Sequence, residues 1–573
     1  MLHLWLATAL VGMPPLMPLE DIERGQKGVC ETVFEGTAIE PFPFEVKGLM
    51  KNFLGPGKDV VLVRLLGEKA SFTGVVAGMS GSPCSIDGKL LGALSYSFAT
   101  FAKEPIAGIT PIRTMMEVTR LPKEERPWRL GGGTDDWRAM RDGRAEREAP
   151  AGDSLRPIAT PLSMAGVTPR VREHFAASLR ELGFEPVAGG SAGTGGKAGA
   201  LHPGSAVAAV LVSGDVDISA TGTVTSVDGD EVLAFGHPFF GLGAISLPMA
   251  QAEILNTMAS EMRSFKMAAL GPIVGELTED RLTAIAGRLG AAPPTVPVHG
   301  TVATPSGTSS FSLNVARDVM LTPRFVAIGL ASALSGRIEV AERGTLRLEA
   351  TITSEGLAPV RVRNVYSAAR DGNLLVYAAI DVAQTLATLW STPFGAPPKV
   401  AIELQTIFDS MPAEEWVEAL VVPQPRVHAG QALELTVRLR QVDGPVREQR
   451  VTLHVPRAWA GEKVVLTASG VAAAQELADD VDGVPQPQSL AQVADWLRAR
   501  RSDGTLYLQA VRKGAGLNHQ TEAMPFLPPS VVPLFATVPG TVAQRQGLAW
   551  EERVARPGTV QGAARQTIEV LAY

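Results

Sequence analysis

The sequence predicts a mainly β protein of several domains, and three observations carry that prediction. Its 573 residues are too many for one hydrophobic core, and roughly three or four domains follow from usual domain sizes. Its 58 glycines and 42 prolines supply turns for many short elements. Short apolar runs recur along most of the chain, several of them alternating with period two. Hydrophobic and charged contents of 45% and 19% are those of ordinary globular protein. A net charge of −7, with no basic run interleaved with aromatics, argues against nucleic acid as a partner.

In chain order, residues 1–25 form a signal-like segment. MLHLWLATALVGMPPLMPL has no charged residue, and Leu2 to Met13 is similar to the apolar core of a secretory leader without its basic start. The competing reading is a buried N-terminal strand. No later segment is apolar for long enough to span a bilayer. Residues 26–120 read as strands of one barrel-like half: VCETVFEG, DVVLVRLLG, FTGVVAG, then CSI and KLLGALSYSF joined by an Asp87-Gly88 hairpin turn. Residues 121–160 are a charged, glycine-rich linker.

In the range 161–330 a helix follows Thr168-Pro169 and ends at Gly183, with Val171, Phe175 and Leu182 on one face. Strands resume with AVAAVLVSG, ISATGTVTSV and EVLAFGHPFFGLG, and a helical patch is expected around Met249 to Met262. Residues 331–410 form a β-rich module and 411–457 a β-sandwich-like one; 458–573 are mixed α/β, with an amphipathic helix in SLAQVADWLRARR. These last modules are expected to offer surfaces for protein partners, which for an exported chain would be those of the envelope.

The chemistry gathers at GVVAGMSGSPCSIDG, Gly74 to Gly88. A serine hydroxyl needs a base to take its proton and donors to hold the oxyanion. Glycines before a serine let two backbone amides point into one small hole, here those of Gly78 and Ser80. Gly81 permits close approach, and Pro83 fixes the exit into the next strand. A tight packing turn is the plainer alternative. Of eight histidines, only His237 stands between glycine and proline at the end of a strand-like run, as a positioned base would. Cys30 and Cys84 fit one disulfide in an exported protein or two buried thiols. They are too few for a zinc site, and neither a metal nor a cofactor is expected.

GMSGSPCSIDGKLLGALSYSF resembles the nucleophile segment of the SpoIVB-type serine peptidases of the chymotrypsin-like clan. The likeness extends through KGVCETVFEG, VVLVRLL and AGITPIRTMME. GTVTSVDGDEVLAFGHPF is similar to the histidine segment of that family, and IVGELTEDRLTAIAGRLG to the region after it. The matched blocks cover somewhat under half the chain. The resemblance implies a chymotrypsin-like double β-barrel core, with Ser80 as nucleophile and His237 as general base. A protein or peptide would be the substrate, in the periplasm, the cell envelope or outside the cell. Gly81, Ser82, Leu94 and Ser95 would then line the substrate cleft, with Leu91 to Phe98 as one wall.

Two departures stand out. The serine block precedes the histidine block, the reverse of the family order. Where the family has its acid upstream of the serine, this chain has Leu65 and Leu66, with Asp59 and Glu68 nearby. Chymotrypsin-like folds generally draw the acid from the histidine's half, where Asp280 and then Glu276 are the candidates; Asp228 and Asp230 read as hairpin-turn residues. A Ser-His dyad is the alternative. Only LHPGSAV, Leu201 to Val207, is similar to a piece of the PDZ module that better-known members carry. The reading from a different class is a non-catalytic envelope binding or assembly protein that keeps the fold.

Overall fold

A computed structural model describes residues 14–572 apart from 99–103, 122–136, 138–139, 143–154, 192–198, 339–342, 370–372, 396–398, 443, 483–484, 520–521, 529, 536 and 539–540. The first half of the signal-like segment and most of the expected linker lie outside the described residues. By their contacts, residues 1–296 and 313–333 make one unit, and residues 297–312 and 334–573 another.

Alternating burial builds a first barrel in the first unit. In β1 (Lys27–Val33), Gly28, Cys30 and Thr32 face inward, alternating with exposed Lys27, Val29 and Glu31. It joins β2 (Ile39–Gly55), β3 (Lys58–Leu65), β4 (Pro83–Ile86), β5 (Lys89–Ser97) and β6 (Ile106–Pro111). The order β4-β1-β2-β3-β6-β5 is closed by pairing of β4 with β5. Phe44, Val46, Val61, Val63, Leu91, Leu94 and Ile109 fill its core. Asp87 and Gly88 take φ of 49° and 73°, which gives the β4–β5 hairpin its tight turn. Cys30 and Cys84, register partners on adjacent strands, are joined by a disulfide. Pro15 to Met17 lies along Leu90, with Met17 buried in the same core.

A short β7 (Arg156–Pro157) leads into β8 (Thr160–Ala165), and a helix, Pro169–Glu181, connects it to a parallel β9 (Phe184–Ala188). Proline at the helix start and Thr168 before it are the expected signals. After β10 (Gly190–Ser191), a second ring forms from β11 (Ala206–Gly214), β12 (Asp217–Asp228), β13 (Glu231–Ala234), β14 (Gly243–Met258), β15 (Phe265–Arg281) and β16 (Ala284–Leu289). The order β11-β14-β15-β16-β13-β12 is closed by β11 pairing with β12, giving a second six-stranded antiparallel barrel. The patch around Met249 to Met262 is not helical. Ala250, Ala252 and Ile254 face inward alternately, and this period of two, paired along β15, makes it strand.

In the second unit, β17 (Gly344–Ser354) lies between β18 (Leu357–Ala368) and β19 (Val400–Asp409), and an apolar helix, Leu374–Trp390, contacts the first two. Two further sheets, from strands between Glu414 and Leu571, share one buried cluster that includes Leu435, Val437, Leu466, Leu508 and Ile568. Glu414–Val421 pairs with Thr559–Gln561, and Arg426–His428 with Ala563–Leu571, so residues 411–457 and 458–573 are not separate modules. The amphipathic helix runs over Leu490–Ala499, capped by Ser489.

Candidate active site

Glycine decides the shape of the serine loop. Gly78 and Gly81 take φ of 97° and 98°, so the chain reverses on both sides of Met79-Ser80. A Cβ at Gly81 would stand 1.9 Å from the Thr223 carbonyl oxygen, so only glycine allows the loop to reach β12. β12 holds it with three bonds. Thr223 N donates to the Ser80 carbonyl (2.8 Å), Thr223 Oγ1 to that of Gly78 (3.0 Å), and Thr225 Oγ1 to that of Gly81 (2.7 Å). From the first barrel, Gly81 N donates to Leu94 O (2.8 Å), and Leu94 N to Ser82 O (2.9 Å).

The loop's own amides divide into two sets. Those of Ala77, Met79, Gly81 and Ser82 are bonded to the carbonyls of Ser264, Val76, Leu94 and Met79. Among the described residues, the amides of Gly78 and Ser80 donate to nothing. The carbonyls of those same two peptide planes are fixed from behind. Ala77 O accepts Lys266 N (3.0 Å), and Met79 O accepts Ser82 N (3.0 Å) and Ser82 Oγ (2.6 Å). Two oriented, unspent N–H groups therefore flank Met79, as an anion hole requires.

The histidine turn is built from the other barrel. Past β13, Phe235 and Gly236 take φ of 65° and 70°. Phe235, a bulky residue in the left-handed region, is kept there by packing: its ring covers Gly222 and meets Phe239 edge-on at 4.5 Å. Thr110 Oγ1 donates to Gly236 O (2.8 Å), and a Cβ at Gly236 would stand 2.0 Å from Ser95 Oγ. His237 is 2% exposed, with Nδ1 2.9 Å from the Pro238 carbonyl. With Nδ1–H donating there, Nε2 carries the lone pair. Burial pushes the imidazole down to about 4, which the Pro238 carbonyl opposes only in part. It is neutral at pH 7, the state a general base needs.

The serine loop and the histidine turn share neighbours. Thr223 donates to Ser80 O and accepts Phe235 N on its own carbonyl (3.3 Å), while Leu94 and Ser95 of β5 touch Gly81 and Gly236. Ser80 Oγ and His237 Nε2 are both buried without a hydrogen-bond partner, so they do not bond each other.

The expected acids lie elsewhere. Asp280 accepts the amides of Phe239 (2.8 Å), Phe240 (2.9 Å) and Leu242 (3.2 Å), holding the turn after His237 rather than its Nδ1. Glu276 accepts Ser246 Oγ (2.6 Å) and Asp59 the Asn52 amide (2.7 Å), while Glu68 is exposed at a helix start. The β5 edge expected to take substrate is filled. Ile158 N donates to Ser95 O (2.9 Å), and Tyr96 and Ser97 pair antiparallel with Pro157 and Arg156. Pro161 Cγ then passes 3.2 Å from where a Gly78 Cβ would stand.

Thr32, Thr223, Thr225 and Lys266 also belong to the site. The sequence signal for Lys266 is a lone lysine in the apolar run FKMAAL. Among the described residues no cluster of His, Cys, Asp and Glu fits a metal ion, and no helix is long and apolar enough to cross a membrane. In the second unit, a cavity of about 420 Å3 is lined in part by Arg347, Arg363, Asn364 and Asp503; Arg363 is paired there with Glu349.

Comparison of the chain with protein-family models, with curated proteins and with solved structures gives no match.

The buried imidazole makes a prediction about acid. An unfolded histidine binds its proton near 6.5, whereas folded His237 binds it only near 4. The unfolded state therefore holds more protons in that window, and stability falls as pH drops through it, by about 3 kcal/mol in all. His237→Gln should lose this part of the acid sensitivity. Chemical denaturation of both proteins between pH 7 and 4 measures it, and parallel curves would contradict the assignment.

Proposed function

We propose that this protein is a serine endopeptidase of the periplasm, cell envelope or exterior, built on a permuted chymotrypsin-like pair of barrels and cutting a protein or peptide substrate. One observation carries the reading. Two buried and unpartnered reactive groups, Ser80 Oγ and His237 Nε2, share neighbours with the two unspent amides of Gly78 and Ser80. A buried polar atom without a partner costs stability, and such atoms are retained where a substrate completes them. The likeness of both sequence blocks to SpoIVB-type peptidases supports the same roles. The Cys30–Cys84 disulfide supports an oxidising compartment.

In the reaction, Ser80 Oγ attacks the peptide carbonyl as its proton passes to His237 Nε2. The Gly78 and Ser80 amides hold the resulting oxyanion. The imidazolium then protonates the departing amine, and water, deprotonated in turn by His237, releases the acyl group. The Pro238 carbonyl, accepting Nδ1–H, takes over the orienting part of a triad acid.

The resting form is closed. Arg156 to Ile158 occupies the edge of β5 as an antiparallel strand, the way an extended peptide substrate would add to it. Ile158 is buried in the same cluster as Met79 and Leu94. Truncating a buried isoleucine costs about 2–5 kcal/mol, so Ile158→Ala should loosen this strand and raise the cleavage rate about tenfold or more. An unchanged rate in a folded variant would show that the strand does not control access.

The second reading, a binding or assembly protein that keeps the fold, is favoured by the complete burial of Ser80 and its lack of a bond to His237. Its partner surface would be the sandwich-like pair of sheets in the second unit. A peptide library digested with wild type, Ile158→Ala and Ser80→Ala decides between them. Cleavage by the first two and none by the third supports the peptidase. No cleavage by any of the three supports the binder.

A further inference from the structure

Lys266 is fully buried in β15, and among the described residues no carboxylate pairs with it. Its backbone and side chain both reach the serine loop. Lys266 N holds the Ala77 carbonyl, whose peptide presents the free Gly78 amide. A Cβ at Gly78 would stand 3.2 Å from Lys266 Cδ and 3.3 Å from its Cβ, so the lysine stem runs along the loop. Nζ donates to Thr32 Oγ1 (2.7 Å); Thr32 Oγ1 lies 3.4 Å from Thr223 Oγ1, and Thr223 Oγ1 donates to Gly78 O (3.0 Å). The donors run one way: the ammonium gives to Thr32, Thr32 to Thr223, and Thr223 to the carbonyl beside the anion hole.

A buried ammonium without a counter-ion opposes folding, and the charge it supplies is complementary to an oxyanion on this loop. We propose that Lys266 is the positioning residue of the anion hole: its backbone N–H fixes the peptide that carries the Gly78 amide, and its ammonium holds the following peptide through Thr32 and Thr223 and supplies positive charge behind the loop. This rests on the serine-hydrolase reading and adds to it a residue that acts through the loop without touching substrate.

Burial alone lowers the Lys266 ammonium to about 7. On the elements around it, β1 contributes Lys27 and Glu31, both exposed, and β14 contributes Glu253, also exposed. β12 carries Asp217 and Asp228 at its two ends; β8 and the Gly78 loop carry no titratable side chain besides the disulfide-bonded Cys84 that follows. On β15 itself, Glu276, Glu279, Asp280 and Arg281 stand at the far end, and His237 is the other titrating group of the site. The reactivity of Ser80 should therefore rise with pH near 4, as His237 loses its proton, and fall near 7, as Lys266 does.

The test follows the rate of Ser80 labelling by a fluorophosphonate from pH 3.5 to 9.5 for wild type, Lys266→Gln and Lys266→Met, with melting temperatures alongside. Wild type should give a bell. Lys266→Gln keeps a donor for Thr32 and does not titrate, so its alkaline limb should vanish. Lys266→Met should label about tenfold or more slowly below pH 7, yet melt higher than wild type at pH 6, because it removes a buried charge. A merely structural lysine would not give that inverse pair. A wild-type rate that is level from pH 6 to 9.5 overturns the proposal whether or not the variants fold. No Ser80-dependent labelling at any pH removes the hydrolase reading and this proposal together.

Discussion

Removing the Cys30–Cys84 disulfide is expected to lower the stability of the first barrel by about 4 kcal/mol. The bond closes a loop spanning a sequence separation of 54, and chain-entropy arguments assign that much to a loop of such length. Both cysteines are fully buried in the cluster that holds Phe44, Met79 and Leu91, so alanine at both positions changes little packing volume and the effect falls mainly on the unfolded chain. The bond also ties β1 to β4, and β4 begins three residues after Ser80. Because the chain has two units, a global melting temperature mixes transitions. Hydrogen exchange read on peptides from β1 to β4 isolates the relevant one, and protection there should fall about 10³-fold in the double alanine variant. Unchanged protection would show that the bond is dispensable to the barrel.

Gly81→Ala is expected to cost about 3 kcal/mol or more and to abolish reaction at Ser80. Two penalties add at this position. Its φ of 98° is one L-residues avoid, and its Cβ would meet the Thr223 carbonyl oxygen at 1.9 Å and the Phe235 amide nitrogen at 2.5 Å. Those atoms belong to the backbone of β12 and the histidine turn, so relief requires the two barrels' contributions to the site to separate. Gly88→Ala is the matched control. Gly88 also has positive φ (73°) but open space around a Cβ, so only about 1 kcal/mol is expected, with labelling intact. Equal effects at the two positions would show that strain, rather than the approach of the loop to β12, makes glycine necessary at position 81.

Much of this arrangement was legible in the residues, for identifiable reasons. Period-two alternation and the Asp87-Gly88 turn act locally, so β4, β5 and the strand of ALELTVRLRQV were readable. The Thr168-Pro169 start of the helix Pro169–Glu181 is likewise a local signal. Met249 to Met262 reads as helix because alanine and leucine suit helices by propensity, while its pairing with β15 is a non-local fact. The limits of the C-terminal modules failed similarly: Thr559–Gln561 returns to pair with Glu414–Val421 across well over a hundred residues, and no local pattern announces that.

At the site, Ser80 and His237 could be singled out because glycine and proline punctuate their loops. The acid could not be read. Spacing drew attention to Asp280, but backbone amides of the turn 239–242 claim its carboxylate, and the Pro238 carbonyl takes the histidine's Nδ1. No local pattern marks the roles of Thr223, Thr225 and Lys266, because their importance lies in what they hold across the barrels.

The central claim is that Ser80 is an activated nucleophile served by His237, and its most direct test is a mass measurement. Purified protein is incubated with a fluorophosphonate, digested, and the adducted peptide sequenced, alongside Ser80→Ala and His237→Ala. A single adduct on Ser80, absent from both variants although each melts as wild type does, is the predicted result. Folded wild-type protein without an adduct on Ser80, or an undiminished adduct in His237→Ala, would contradict it.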